Sequence, residues 1–161
     1  MINAGRGLAG GLLSSDESAW QELYELNVLA AARLMRCAGL HMVAAGSGDI
    51  VVLGSVSGHH ISPFSGFYGS SKWAVASLAE AFRREVASKG VRVSTIKPGV
   101  VESEFQMVAG YDRENFYKTI EKYGALLKPE DVAEAIAFIV TRPPYVLIND
   151  MVIRPAGQDY P

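Results

Sequence analysis

The chain has one cysteine, Cys37, in 161 residues. A lone thiol excludes an internal disulfide and a Cys-cluster metal site, and it suits a reducing compartment, so a cytoplasmic protein is expected. Charge of one sign is scarce as well. Fifteen Lys and Arg against 17 Asp and Glu leave a net charge of −2, and the basic residues are scattered. That leaves no footprint for nucleic acid or an anionic membrane. No apolar run reaches the roughly 18–20 residues that span a bilayer, and the opening MINAGRGLAGG lacks the basic and apolar regions of a secretory signal. What is present is ordinary globular composition, 49% hydrophobic and 20% charged, at a length that predicts one domain over residues 1–161.

The pattern alternates strands and helices. Ser14 with Glu17 reads as a capping box. The apolar spacing Trp20, Leu23, Asn27, Ala30, Leu34, Ala38 then predicts one buried helical face, ending at the Gly46-Ser47-Gly48 turn. Asp49 to Gly54 (DIVVLG) is a short, nearly all-apolar run, as in a parallel strand buried on both faces. A second helix is expected from about Phe67 to Lys89, stopped by Gly90, then a strand over Arg92 to Lys97 halted by Pro98-Gly99. Ser103 to Leu127 is irregular and aromatic, and reads as a mobile lid with a short helix. Pro129 opens a third helix to about Val140, and Tyr145 to Ile153 contains a last strand. This order predicts an α/β fold, the C-terminal part of a doubly wound parallel sheet.

Four polar residues stand out. Tyr68 and Lys72 are four apart at the start of a helix, so they share a face, and a nearby ammonium favours the phenolate and lowers the Tyr pKa. Ser55 sits at the C-terminal end of the buried strand, where open α/β sheets meet their ligands. Asn27 interrupts an apolar helical face and needs a partner, structural or catalytic. Pro98-Gly99, with Ser103 beyond, offers backbone to a flat ligand at the next strand end. His59-His60 lack a Cys or carboxylate at ligand spacing, so no metal centre is expected, and Cys37 reads as a small core residue.

Asn3-Ala4-Gly5, Asn27, Gly54-Ser55-Val56-Ser57-Gly58, Tyr68 with Lys72, and Pro98-Gly99 with Ser103 stand in an order and spacing that resemble the short-chain dehydrogenase/reductase family across essentially the whole chain. The resemblance implies an NADP- or NAD-dependent oxidoreductase with a Rossmann-type fold that acts on a small alcohol or carbonyl substrate. It implies Tyr68 as proton donor or acceptor, Lys72 on the nicotinamide ribose, Ser55 on the substrate oxygen and Asn27 in a water-linked proton relay. Asn3, Ala4, Gly5, Pro98, Gly99, Val101 and Ser103 would join Tyr68 and Lys72 around the cofactor. The stretch from Pro129 to Arg154-Pro155 resembles the NADP-dependent branch that oxidises serine and other 3-hydroxy acids. A homodimer or homotetramer paired through the first two helices is also implied.

The family's opening strand, its TGxxxGxG turn and two further strand-helix units find no counterpart, so roughly 75–90 residues of the nucleotide-binding half are expected to be missing. Gly5-Arg-Gly7-Leu-Ala-Gly10 satisfies G-x-G-x-x-G literally, but no helix opens directly after it, so it is not read as a dinucleotide fingerprint. The alternative reading is a catalytically inactive relative that acts as an interaction or structural protein.

Overall fold

The computed structural model describes residues 1–60 and 62–159. A long helix, α1 (Glu17–Ala45), leads into strand β1 (Gly48–Leu53). Helix α2 (Gly66–Val86) then crosses to strand β2 (Val91–Pro98). Two short helices, α3 (Phe105–Val108) and α4 (Arg113–Ile120), form the segment after β2. Helix α5 (Pro129–Val140) returns the chain to strand β3 (Asp150–Ile153). The sheet is parallel throughout, in the order β1-β2-β3, with Val52 opposite Thr95 and Ile96 opposite Met151.

Strand alternation sends side chains to two cores. Ile50, Val52 and Val93 pack with Ala31 and Met35 of α1 and Val75 and Ala79 of α2, while Val51 and Ile96 pack on the other face with Val132 and Ile139 of α5. Helices on both faces of a parallel sheet are the α/β Rossmann arrangement. Ile2 adds a single parallel bridge to Val52 on the open side of β1, with Ile2 N–H donating to the Val51 carbonyl at 2.8 Å. At the opposite end of the sheet, α2 and its final turn stop at Gly90, whose φ of +77° is left-handed; a Cβ there would also collide with the Gly46 carbonyl oxygen.

The entry to α1 corrects the capping box. Asp16, not Ser14, caps the helix, accepting from Ser18 N–H at 3.0 Å, and the Ser14 hydroxyl turns back to accept from Gly11 N–H. The buried stripe is corrected too. Glu25–Ala30 is a π-helical turn inside α1, and a wider turn takes one extra residue. Beyond it the inward positions move by one, to Ala31, Met35 and Gly39 in place of Ala30, Leu34 and Ala38. Leu34 and Cys37 are consequently exposed, so Cys37 is not a core residue. Contrary to the sequence expectation, α1 is long and apolar enough to cross a membrane by length and composition alone; its inner stripe packs on the sheet as a core helix does.

One side chain staples the N-terminal ends of the strands. The Arg92 guanidinium meets both Asp49 carboxylate oxygens, at 2.7 and 3.1 Å. It also donates to the carbonyls of Val140, Arg142, Pro143 and Val146 between α5 and β3. Arg92→Met strands a half-buried carboxylate and four carbonyls, and is expected to cost about 2–4 kcal/mol, read as a lower urea midpoint at unchanged m-value. An unchanged midpoint would show that solvent replaces the staple without loss.

Candidate active site

Three strand ends and the start of α2 converge on one cleft. At the end of β1 the chain turns through Ser55, whose Oγ accepts from Ser57 N–H at 3.1 Å and starts a tight turn over Val56–Gly58. That turn lies against α2 so closely that a Cβ on Gly58 would come within 2.8 Å of the Lys72 carbonyl. Ser55 is thereby held beside the first turns of α2, and it hydrogen-bonds the Tyr68 phenol. Tyr68 and Lys72 are both buried, one helical turn apart. The Lys72 ammonium reaches past the Tyr68 ring, 5.9 Å from its centroid, and donates to the Leu53 carbonyl at 3.0 Å.

Burial dominates the electrostatics. Phe105 of α3 lies over the Tyr68 ring with centroids 5.3 Å apart. Removal from water pushes the phenol up to about 12, against the pull of the Ser55 hydrogen bond and with a further push from Tyr111. Desolvation likewise brings Lys72 down to about 8. The expectation that the ammonium lowers the Tyr pKa is therefore not met at this buried phenol: loss of water outweighs an amine held by a backbone carbonyl.

Asn3, Gly5, Ser55, Tyr68 and Lys72 line the cleft together with Pro98, Gly99, Val101 and Ser103. Gly5 is a close-approach position, since a Cβ there would lie 3.0 Å from Asn27 Oδ1 and 3.6 Å from Lys72 Nζ. Ala4 is exposed and does not face the cleft. Neither does Asn27, which is buried beneath it. From the π turn, Asn27 Oδ1 accepts from Arg6 N–H and Nδ2 donates to the Arg6 carbonyl, both at 2.9 Å. Nδ2 also donates to Ser71 Oγ at 3.0 Å, and Ser71 donates on to the Tyr68 carbonyl at 2.7 Å. The amide thus ties the 5–6 loop to the turn that presents Tyr68.

Ser71 and Gln158 are the residues that sequence reading missed. Gln158 is buried in the C-terminal segment and accepts from Val100 N–H at 2.9 Å, bracing the Pro98–Val101 backbone. Ser71 lies within Tyr68-Gly-Ser-Ser-Lys72, bonded to an Asn27 that is 44 residues away in sequence, and only the tertiary fold pairs them; Gln158 had no local signal. Ser103 accepts from Phe105 N–H at 3.3 Å at the entry to α3. Gly5 to Gly10 runs as a loop beneath α3, and the helix opens only at Glu17. A Cβ on Gly7 would strike Ala109 and Phe105. His59 and His60 are exposed and pack edge to face on one another.

A family model for short chain dehydrogenases matches residues 1–114, which hold every cleft residue named above except Gln158. The chain belongs to the short-chain dehydrogenase family. Among its relatives, the dehydrogenase/reductase SDR family member 11 proteins of Bos taurus and Homo sapiens are each 37% identical over 97% of this chain, and the match takes in 64% and 62% of their own lengths. The chain therefore spans a little under two thirds of these curated relatives. Among solved structures, the closed form of serine dehydrogenase complexed with NADP+ superposes with a TM-score of 0.89 at 28% identity, over 98% of this chain and 64% of that one. An alcohol dehydrogenase from the archaeon Thermococcus sibiricus, complexed with 5-hydroxy-NADP, gives 0.82 at 26% identity, over 99% and 63%.

Proposed function

We propose that this chain forms the catalytic half of a nicotinamide-dependent oxidoreductase acting on a secondary alcohol or ketone, or on a 3-hydroxy acid. The observation that carries the reading is the buried Ser55-Tyr68-Lys72 group at the floor of one cleft, with an ammonium whose described hydrogen bond goes to a neutral carbonyl. The residues fit a nicotinamide nucleoside: Gly5 leaves open the space beside Lys72 Nζ that a Cβ would fill, and Gln158 braces the Pro98–Val101 backbone in the same cleft. The NADP-type ligands of the serine and alcohol dehydrogenase structures support NADP, with NAD as the other choice.

The bound nicotinamide would supply or accept the hydride. Lys72 would hold the ribose hydroxyls, Ser55 Oγ would orient the substrate oxygen, and the Tyr68 phenol would give that oxygen its proton or take it back. Asn27 and Ser71 would fix the turn that carries Tyr68, and Phe105 would exclude water from the phenol. The test is deuterium transfer in a chimera carrying a relative's glycine-rich strand-helix units ahead of Met1. Deuterium from C4-labelled NADPH is expected on the carbinol carbon of the product; label in solvent alone would refute the reading.

We also propose a homo-oligomer, paired through α1 and α2 in a two-fold interface. Leu29, Leu34, Leu40, Trp73 and Leu78 stand exposed on these two helices, an apolar cost for a lone chain. Sedimentation at high micromolar concentration is expected to show at least a dimer, and a species of monomer mass alone would contradict it.

A further inference from the structure

Beyond β3 the chain turns at Pro155, with Gln158 N–H donating to the Pro155 carbonyl at 2.9 Å, and the Gln158 side chain returns to the end of β2. Only 5% of it is exposed. Its Oε1 lies 2.1 Å from where a Cβ on Gly99 would stand, so a side chain at 99 would drive the glutamine off Val100. Val100 is a junction. Its N–H is held by Gln158 at 2.9 Å and its carbonyl accepts from Leu127 N–H at 3.2 Å, while Glu102 N–H donates to the Leu127 carbonyl at 2.8 Å. The 102–127 segment therefore leaves β2 and returns toward α5 at one point, and the C-terminal turn supplies the side chain that fixes it.

The neighbours of Gln158 reach the same segment. A Cβ on Gly157 would come within 2.6 Å of the Tyr123 carbonyl oxygen, and the Asp159 carboxylate pairs with Lys122 at 2.9 Å. That ion pair is exposed and contributes little, whereas losing a buried acceptor strands the Val100 N–H. From Val101 the segment runs into α3, with Gln106 Nε2 donating to the Val101 carbonyl at 3.0 Å, and α3 carries Phe105 over Tyr68.

We infer that Gln158 is a positioning residue that couples two parts of the cleft: through Val100 it fixes the Pro98–Val101 backbone and, with it, the segment that covers Tyr68, so that both loosen together when the glutamine oxygen is lost. This rests on the oxidoreductase reading for what the backbone receives, but not for the coupling. The test is amide hydrogen exchange by NMR on the 161-residue chain, with reduced nicotinamide riboside as the ligand probe. Gln158→Met keeps the bulk and removes the acceptor. It is expected to speed exchange at Val100, Leu127 and Ala109 by about tenfold, with Val52 and Val93 in the sheet unchanged, and to weaken riboside binding about fivefold. Gln158→Glu, which keeps an acceptor oxygen whether protonated or not, is expected to restore exchange and binding to within about threefold of the parent. Should Gln158→Met fail to fold, Gln158→Asn, one methylene too short to reach Val100, is read by the same criteria. Unchanged exchange at Val100, faster exchange at Val100 without Leu127 and Ala109, an equal rise across the sheet, or no rescue by Gln158→Glu would overturn the coupling. Riboside binding that is equal in the parent and in a loosened Gln158→Met sinks the positioning role alone. The expected exchange pattern with no riboside binding to the parent sinks the nicotinamide reading alone.

Discussion

Tyr68→Phe in the chimera is expected to lower ketone turnover by about 10²–10⁴-fold, the usual contribution of a positioned proton donor. The substitution removes one oxygen and little else. The ring stays packed against Phe105, and Ser55 Oγ keeps its bond from Ser57 N–H, so the fold should be retained. The buried phenol, pushed up to about 12, holds its proton throughout the neutral range and is in the donor form that ketone reduction needs. Cofactor affinity should change little, because the ribose contact is assigned to Lys72. Turnover within about threefold of the parent would remove Tyr68 from the mechanism.

Lys72→Met should separate stability from function. Burial holds the lysine near 8 against an ordinary 10.5, so below about 8 the folded chain keeps a charge that the unfolded chain hydrates more favourably. Between about 8 and 10.5 the unfolded state binds more protons than the folded one, and the parent's stability gains from this group as pH rises through that window. Methionine has no such penalty. The variant is therefore expected to be more stable than the parent at pH 7 by about 1–3 kcal/mol, less the cost of the unpaired Leu53 carbonyl, with the difference shrinking toward pH 10. In the chimera, both cofactor affinity and rate should fall, since one ammonium serves both. A variant less stable than the parent at pH 7, with a pH-independent difference, would show that the buried amine is not strained; loss of rate alone would contradict the ribose contact.

The parts of this site that were legible in the sequence are those set by short spacing. Tyr68 and Lys72 one turn apart, Ser55 after an all-apolar strand, and Pro129 at the first turn of α5 each carry their geometry locally. The register of α1 was not legible, because a π turn leaves no residue signature and rotates everything beyond it; Leu34 and Cys37 face outward for that reason. The Tyr68 pKa was misjudged for a tertiary reason. Its neighbour at i+4 was visible, whereas the covering Phe105 and Tyr111 come from a segment 37 and 43 residues away. Gln158 was hidden likewise, since bracing Val100 from the far end of the chain needs the β3 return beside β2. Asn27 had demanded a partner, and the fold supplies structural ones, the Arg6 backbone and Ser71.

The most direct test of the central claim, that this cleft receives the nicotinamide end of the cofactor between Lys72 and the Pro98–Val101 backbone, is a titration of the isotope-labelled 161-residue chain with reduced nicotinamide mononucleotide, followed by amide NMR. The account predicts saturable, weak binding with shifts concentrated at Gly5, Gly99, Val100 and Val101 and lost in Lys72→Met. Saturable shifts centred elsewhere on the chain, or the same shifts undiminished in Lys72→Met, would contradict it.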